Sequence, residues 1–180
     1  MEPSQLEALR YPIGKYQVPE PVTAGHIQQW IAEIERFPGQ LIDTVSNLND
    51  LQLDMPYRPG GWSIRQVIHH LADSHMNSYI RFKWSLTEDR PTIKAYYEGR
   101  WAELPDGKTA PVQVSLGLLA SLHTRMTMMF RNMSAEDWQR SYFHPERDQF
   151  IRLDQNLGNY AWHGKHHLAQ INSLIQGMGW

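Results

Sequence analysis

Trp30, Ile34, Phe37, Leu41, Val45 and Leu48 follow one another at intervals of three and four residues. That spacing lays an apolar stripe down one face of an α-helix, here over about 22–48. The period returns in three more long segments: about 64–86 through Ile64, Val67 and Leu71, 112–133 through Leu116, Leu119, Met126 and Phe130, and 154–176 through Leu157, Tyr160, Leu168, Ile171 and Leu174. Boundary signals agree. Ser63 and Gln66 form a capping-box pattern before the second segment, Pro111 precedes the third, Asp154 reads as the N-cap of the fourth, and Gly177 and Gly179 end it. Pro38 is expected to kink the first helix. A second apolar set on the third, Leu118, Leu122 and Met129, predicts burial on both of its sides. Four amphipathic helices without an internal repeat argue for an all-α four-helix bundle. A chain of 180 residues, 41% hydrophobic, suffices for one core and is tight for two, so a single domain over 1–180 is expected.

The connections carry their own signals. Residues 49–61 are turn-rich, with room for one helical turn. Residues 89–111 hold Pro91, Pro105 and Pro111 and read as a long ordered loop; a loop of that length usually has a task, such as admitting substrate. In 134–153 the SAED capping-box pattern is followed by FHPERDQFIRL, which fits a short β-hairpin arm.

Several function classes drop out on composition. Seventeen Lys and Arg against nineteen Asp and Glu, with no long run of either sign, favour neither nucleic acid nor an anionic membrane as a partner. The apolar runs fall short of the roughly 20 residues a membrane helix needs, and MEPSQLEALR lacks a signal pattern, so a cytoplasmic protein is expected. The chain has no cysteine, which leaves nitrogen and oxygen as ligands for any metal. Neither a Walker-type nor a dinucleotide-binding glycine loop is present.

The histidines point more positively. In YAWHGKHHLAQI, residues 160–171, His163 and His167 are four apart, so on a helix they lie roughly 6 Å from each other on one face, with His166 turned about 100° from His167. Asn156, Tyr160, Gln170, Ile171 and Leu174 extend that face. Gly164 costs about 1 kcal/mol relative to Ala inside a helix, an odd choice unless something approaches closely. In VIHHLADSHMNSY, His70 is followed at helical spacing by Asp73, Ser74 and Asn77, a polar seam beside the core. One histidine from the second segment and two from the fourth would make a three-nitrogen site with open positions, as expected of a catalytic zinc. The run HGKHH lacks the glutamate of H-E-x-x-H proteases, and the two histidine-bearing helices lack the E-x-x-H pairs of di-iron bundles.

GGWSIRQVIHHLADSHMNSYIRF, then WAELPD, then YAWHGKHH together resemble the DinB-like four-helix-bundle superfamily, in its YfiT-type branch of metal-dependent hydrolases; the likeness runs from LRYPIGKY onward. It implies a divalent metal, zinc first with nickel as the alternative, held by His70, His163 and His167. His69, His75 and His166 stand outside that ligand set. It also implies a homodimer acting on a small-molecule substrate. Related branches use a low-molecular-weight thiol such as bacillithiol or mycothiol for S-transfer, which the same site would serve by activating a thiol in place of water. Asp73, His69 and His166 are the candidates for proton transfer, and Asp73 could instead orient a ligand imidazole. His123 reads as a hydrogen-bonded core histidine. Trp62, Trp101 and Trp162 are pocket or core residues. Asn77 and Arg81 continue the His70 side and suit substrate contact, with a surface ion pair as the alternative for Arg81. A non-enzymatic bundle stapled by its metal is the competing reading; the missing fourth ligand favours an enzyme.

Overall fold

The computed structural model describes residues 2–180. In chain order its elements are α1 (Pro3–Arg10), α2 (Ala24–Val45), α3 (Asp50–Leu53), α4 (Ile64–Thr87), α5 (Glu98–Trp101), α6 (Pro105–Thr109), α7 (Val112–Phe130), α8 (Ala135–Gln139), β1 (Ser141–His144), β2 (Gln149–Arg152) and α9 (Leu153–Met178). The four long helices form the bundle. α2 packs against α7 and α9, and α4 packs against the same two, so the first two long helices face each other across the diagonal.

The helix starts follow their caps. Ser63 Oγ accepts from the Gln66 backbone N–H at 3.1 Å while Gln66 Oε1 accepts from Ser63 N–H at 3.0 Å. Ser134 and Asp137 make the same reciprocal pair ahead of α8. At α9 the expected N-cap is displaced. The hairpin runs directly into the helix, Arg152 takes the cap position, and Asp154 sits in the first turn. There its carboxylate accepts from Gln155 N–H at 2.7 Å and from the Arg152 guanidinium at 3.1 and 3.0 Å. Negative charge at that end suits the helix dipole from either position.

α2 continues through Pro38, which is buried inside it. α7 departs in part from the expectation of two buried sides. Leu116, Leu119, Met126 and Phe130 are buried; of the second set, Leu122 is buried and Met129 packs partly buried against the core, whereas Leu118 is 45% exposed. Both bundle partners lie against one face of α7, leaving the other to solvent.

The connections are ordered by hydrogen bonds from α4. Gln66 Nε2 donates to Ala102 O at 2.8 Å and Arg65 to Ala110 O at 3.1 Å, while Arg65 also pairs with Asp54 and Asp50 at 2.6 and 2.7 Å. The 89–111 stretch thus folds down on α4 and includes two helical turns of its own. The hairpin is antiparallel, with Ser141 opposite Arg152 and His144 opposite Gln149. Residues 91–93 join its edge through Phe143 N–H to Pro91 O at 2.9 Å and Ile93 N–H to Phe143 O at 3.1 Å. Among the described residues, no helix is long and apolar enough to cross a membrane.

The apolar core is in two parts. One groups Trp30, Ile34, Phe82, Met126, Phe130 and Leu157; the other groups Phe37, Leu41, Ile68, Leu71, Leu119 and Ile171. Between them the helices contribute buried polar side chains, His75 from α4, His123 from α7, and His167 and Gln170 from α9. This polar layer is where the site lies.

Candidate metal centre

α4 and α9 pack side by side, which brings His70 against the i, i+4 pair His163 and His167. One ring nitrogen of each lies within 4.8 Å of those of the other two. His70 Nε2 and His163 Nε2 are 3.2 Å apart, and the His70 and His167 rings meet edge-on with centroids at 5.0 Å. Burial, reinforced by the neighbouring imidazoles, holds all three well below the ordinary histidine pKa. The cluster therefore rejects protons while offering lone pairs, which is what a cation requires of imidazole ligands.

Which nitrogen carries each proton follows from a chain of buried contacts. Pro38 has no backbone N–H, so the carbonyl four residues earlier, that of Ile34, lacks its helical partner. His123 Nδ1 lies 2.6 Å from that oxygen. A carbonyl only accepts, so Nδ1 carries the hydrogen; burial lowers the His123 pKa to about 4, leaving the ring neutral and its Nε2 an acceptor. That Nε2 is 2.9 Å from His75 Nδ1, which must then be the donor, and His75 Nε2 in turn is left to accept from His163 Nδ1 at 3.3 Å. The chain ends with the His163 Nε2 lone pair directed away from it, on the side where His70 lies. His167 is set more simply. Gln170 Nε2 donates to Arg10 O at 2.8 Å and to His166 Nε2 at 3.0 Å, which turns Gln170 Oε1 onto His167 Nδ1 at 2.8 Å and frees His167 Nε2.

All three histidines line one cavity of about 520 Å³. Trp62 lies over His70 with ring centroids at 4.6 Å and lines it too. The 89–111 stretch contributes Tyr96, the hairpin Tyr142 and His144, and α4 Ser74 and Arg81. Burial pushes the phenols of Tyr96 and Tyr142 well above their usual range, so both remain hydroxyl donors.

The other histidines and acids singled out in the sequence lie elsewhere. His69 turns to Ser115 Oγ at 2.7 Å and Ala110 O at 3.1 Å, and so fastens the 89–111 stretch. His166 stacks on Trp162 at 4.5 Å and borders a separate small cavity beside Arg10 and Tyr11. Asp73 is half-buried, its pKa raised to about 6 by desolvation and the charge of Asp106. None of the three is among the residues lining the 520 Å³ cavity. Asn77 also stays out of it and bonds back within its own helix to Asp73 O at 2.9 Å, whereas Arg81 lines it. Trp101 packs on Tyr96. The orienting contacts to the triad come from His75 and Gln170 instead of Asp73. Gln170 is signalled by its place on the His163/His167 face; His75 lies five residues beyond His70, off the pattern of any single helix face, and only the bundle reveals it.

Gly164 also finds its reason here. A Cβ on it would meet the Phe37 ring at 3.0–3.2 Å, and that ring stacks on His75 at 5.9 Å and packs tilted against His123 at 5.7 Å. The missing side chain lets α2 close over the histidine chain.

Comparison with known proteins agrees with the fold and with metal dependence. A Bacillus cereus protein named "Putative metal-dependent hydrolase" is 51% identical over 175 residues, covering 97% of this chain and 100% of its own. A Bacillus anthracis protein of the same name is 50% identical over the same span. Among solved structures, YfiT from Bacillus subtilis, described as "a probable metal-dependent hydrolase with an unusual four-helix bundle topology", superposes with a TM-score of 0.94 at 48% identity, covering 96% of this chain and 99% of that one. The family model of the DinB superfamily matches residues 33–171, and the chain belongs to that superfamily.

Proposed function

We propose that this chain is a metal-dependent hydrolase of small molecules, with a divalent cation held by His70, His163 and His167. One observation carries the reading. Two independent hydrogen-bond systems, one ending on Ile34 O and one on Arg10 O, set His163 and His167 with Nε2 free beside His70 at the wall of a cavity. Three neutral imidazoles suit zinc, the first choice here, and also nickel. Bound there, the cation supplies Lewis acidity that readies a nucleophile at neutral pH.

The chain's own groups do the rest. Trp62 covers His70 and shields it from bulk water. The Tyr160 hydroxyl, 3.4 Å from Ser74 Oγ, and the Tyr96 phenol offer donors to a polarised carbonyl. Glu98 and Glu146 are the acidic residues on the cavity wall, both exposed, and are the groups positioned to carry protons to solvent. The relatives named above carry a hydrolase designation, and hydrolysis is the reading adopted over thiol transfer.

Metal content and turnover measured together test the proposal. Wild type should hold one zinc per chain and cleave members of an ester and amide panel. His70→Ala, His163→Ala and His167→Ala should each lose both. Full zinc occupancy with no turnover on any member would return the protein to a structural metal site. We also propose a homodimer, for which the exposed apolar side chains Val114, Leu118 and Met128 on the outer face of α7 supply a contact surface; light scattering decides it.

A further inference from the structure

Arg81 is buried, 8% exposed, and lines the same cavity as the three histidines. The ion pairs among the described residues do not include it. Removing a guanidinium from water without a counter-charge is costly, and proteins retain such an arrangement where something else brings the charge. Close by is a second unmet group. His144, also 8% exposed, lines the cavity, and its Nδ1 is buried without a hydrogen-bond partner. The Tyr142 phenol lies against Arg81 and donates to Asn156 Oδ1 at 2.9 Å, while Asn156 Nδ2 donates to Ser78 Oγ at 3.1 Å. This network fixes the floor of the pocket without neutralising Arg81; the other arginine on the wall, Arg147, is exposed. Glu98 and Glu146 reach the cavity from exposed positions, and neither pairs with Arg81.

We infer that Arg81 and His144 form the anion subsite of this enzyme, and that its substrate carries a carboxylate at the end remote from the bond that is cleaved. The inference rests on the hydrolase reading and adds the substrate class. Helix geometry sets the length. Arg81 follows His70 by eleven residues, about three turns along α4 and within about 20° of the same direction, and its side chain leans back toward the helix start. Asn156, at the subsite, precedes His163 on α9 by seven residues, roughly 10 Å. A substrate joining the two ends therefore spans on the order of 10 Å between its carboxylate and its reacting group.

Hydroxamates, which chelate catalytic metals, provide the probe. Zinc-loaded protein is titrated calorimetrically with the monohydroxamate of an eight-carbon diacid, which extends over roughly 10 Å, and with its methyl ester. The free acid should bind about 10- to 100-fold more tightly than the ester, as a charge-assisted contact implies. Arg81→Gln should erase that preference, the affinity of the acid falling to that of the ester, and His144→Gln should reduce it. The four-carbon homologue should show little preference. Equal affinity for acid and ester in wild type, or a preference that survives Arg81→Gln, overturns the inference. Should Arg81→Gln fail to fold, which loss of ester binding would reveal, the wild-type acid-to-ester ratio and His144→Gln still decide. Failure of wild type to bind either hydroxamate would instead strike at the metal-site reading.

Discussion

Replacement of His123 by phenylalanine tests the histidine chain without touching a proposed ligand. In the native arrangement Ile34 O draws the His123 Nδ1 hydrogen at 2.6 Å, and the polarity passes through His75 to His163. Phenylalanine fills a similar volume, but it offers His75 Nδ1 no acceptor at its edge. A buried N–H left unmet costs about 1–3 kcal/mol. His75 then does better with its hydrogen on Nε2, donating to His163 Nδ1, and the His163 hydrogen moves to Nε2, the nitrogen that faces the cation. Binding metal must reverse this. Allowing for partial relaxation, about 1–2 kcal/mol is lost from metal affinity, a roughly 5- to 30-fold rise in Kd. Competition with a chromophoric zinc chelator measures it, and nitrogen-15 spectra of the metal-free protein report the tautomers directly. Wild type should show His163 protonated at Nδ1 and His123→Phe should show it protonated at Nε2. Unchanged zinc affinity together with unchanged tautomers would refute the reasoning.

Other outcomes follow from neighbouring contacts. Gln170→Leu removes the acceptor of His167 Nδ1–H and should weaken zinc binding by about 10-fold, and Gln170→Glu, which keeps that acceptor but sets a buried carboxylate oxygen against Arg10 O and the His166 Nε2 lone pair, should lower stability in chemical denaturation. Gly164→Ala should destabilise the protein by about 1–2 kcal/mol in chemical denaturation despite alanine's higher helix propensity, because its methyl group displaces Phe37; a stabilised variant would contradict the packing. Burial lowers the pKa of His123 and of His166 from 6.5 to about 4. Between those values the unfolded chain binds protons that the fold refuses, so metal-free stability should fall as pH drops through that window, and a flat series of urea midpoints would be inconsistent with it. Asp73→Asn should keep turnover and gain stability at neutral pH, since it relieves the strain that raises the carboxyl pKa to about 6; lost turnover with an intact fold would return Asp73 to the reaction.

The helices were legible because burial acts through local periodicity, and the stripe through Ile34, Phe37 and Leu41 lies within one element. The convergence of His70 with His163 and His167 was accessible through spacing on each helix together with the family likeness. Two local readings missed. Leu118 looked like core because apolar residues on α7 outnumber the places its two neighbours can cover. Asp154 looked like a cap because nothing local says that β2 ends where α9 starts. The wider surroundings of the triad were hidden for one reason: His75, His123 and Ile34 belong to three different helices, and contacts between diagonal and adjacent partners leave no period in any of them.

Proline at position 38 has a further meaning in this light. A residue with an amide hydrogen there would mend the backbone ladder of α2 and, by the same act, compete for the oxygen that anchors the imidazole relay. Helix regularity and ligand orientation are therefore opposed at a position that bears no reactive group. A search for thermostable variants that scored only the melting temperature would be drawn toward repairing this defect, and would select proteins that are sturdier and hold their metal less tightly.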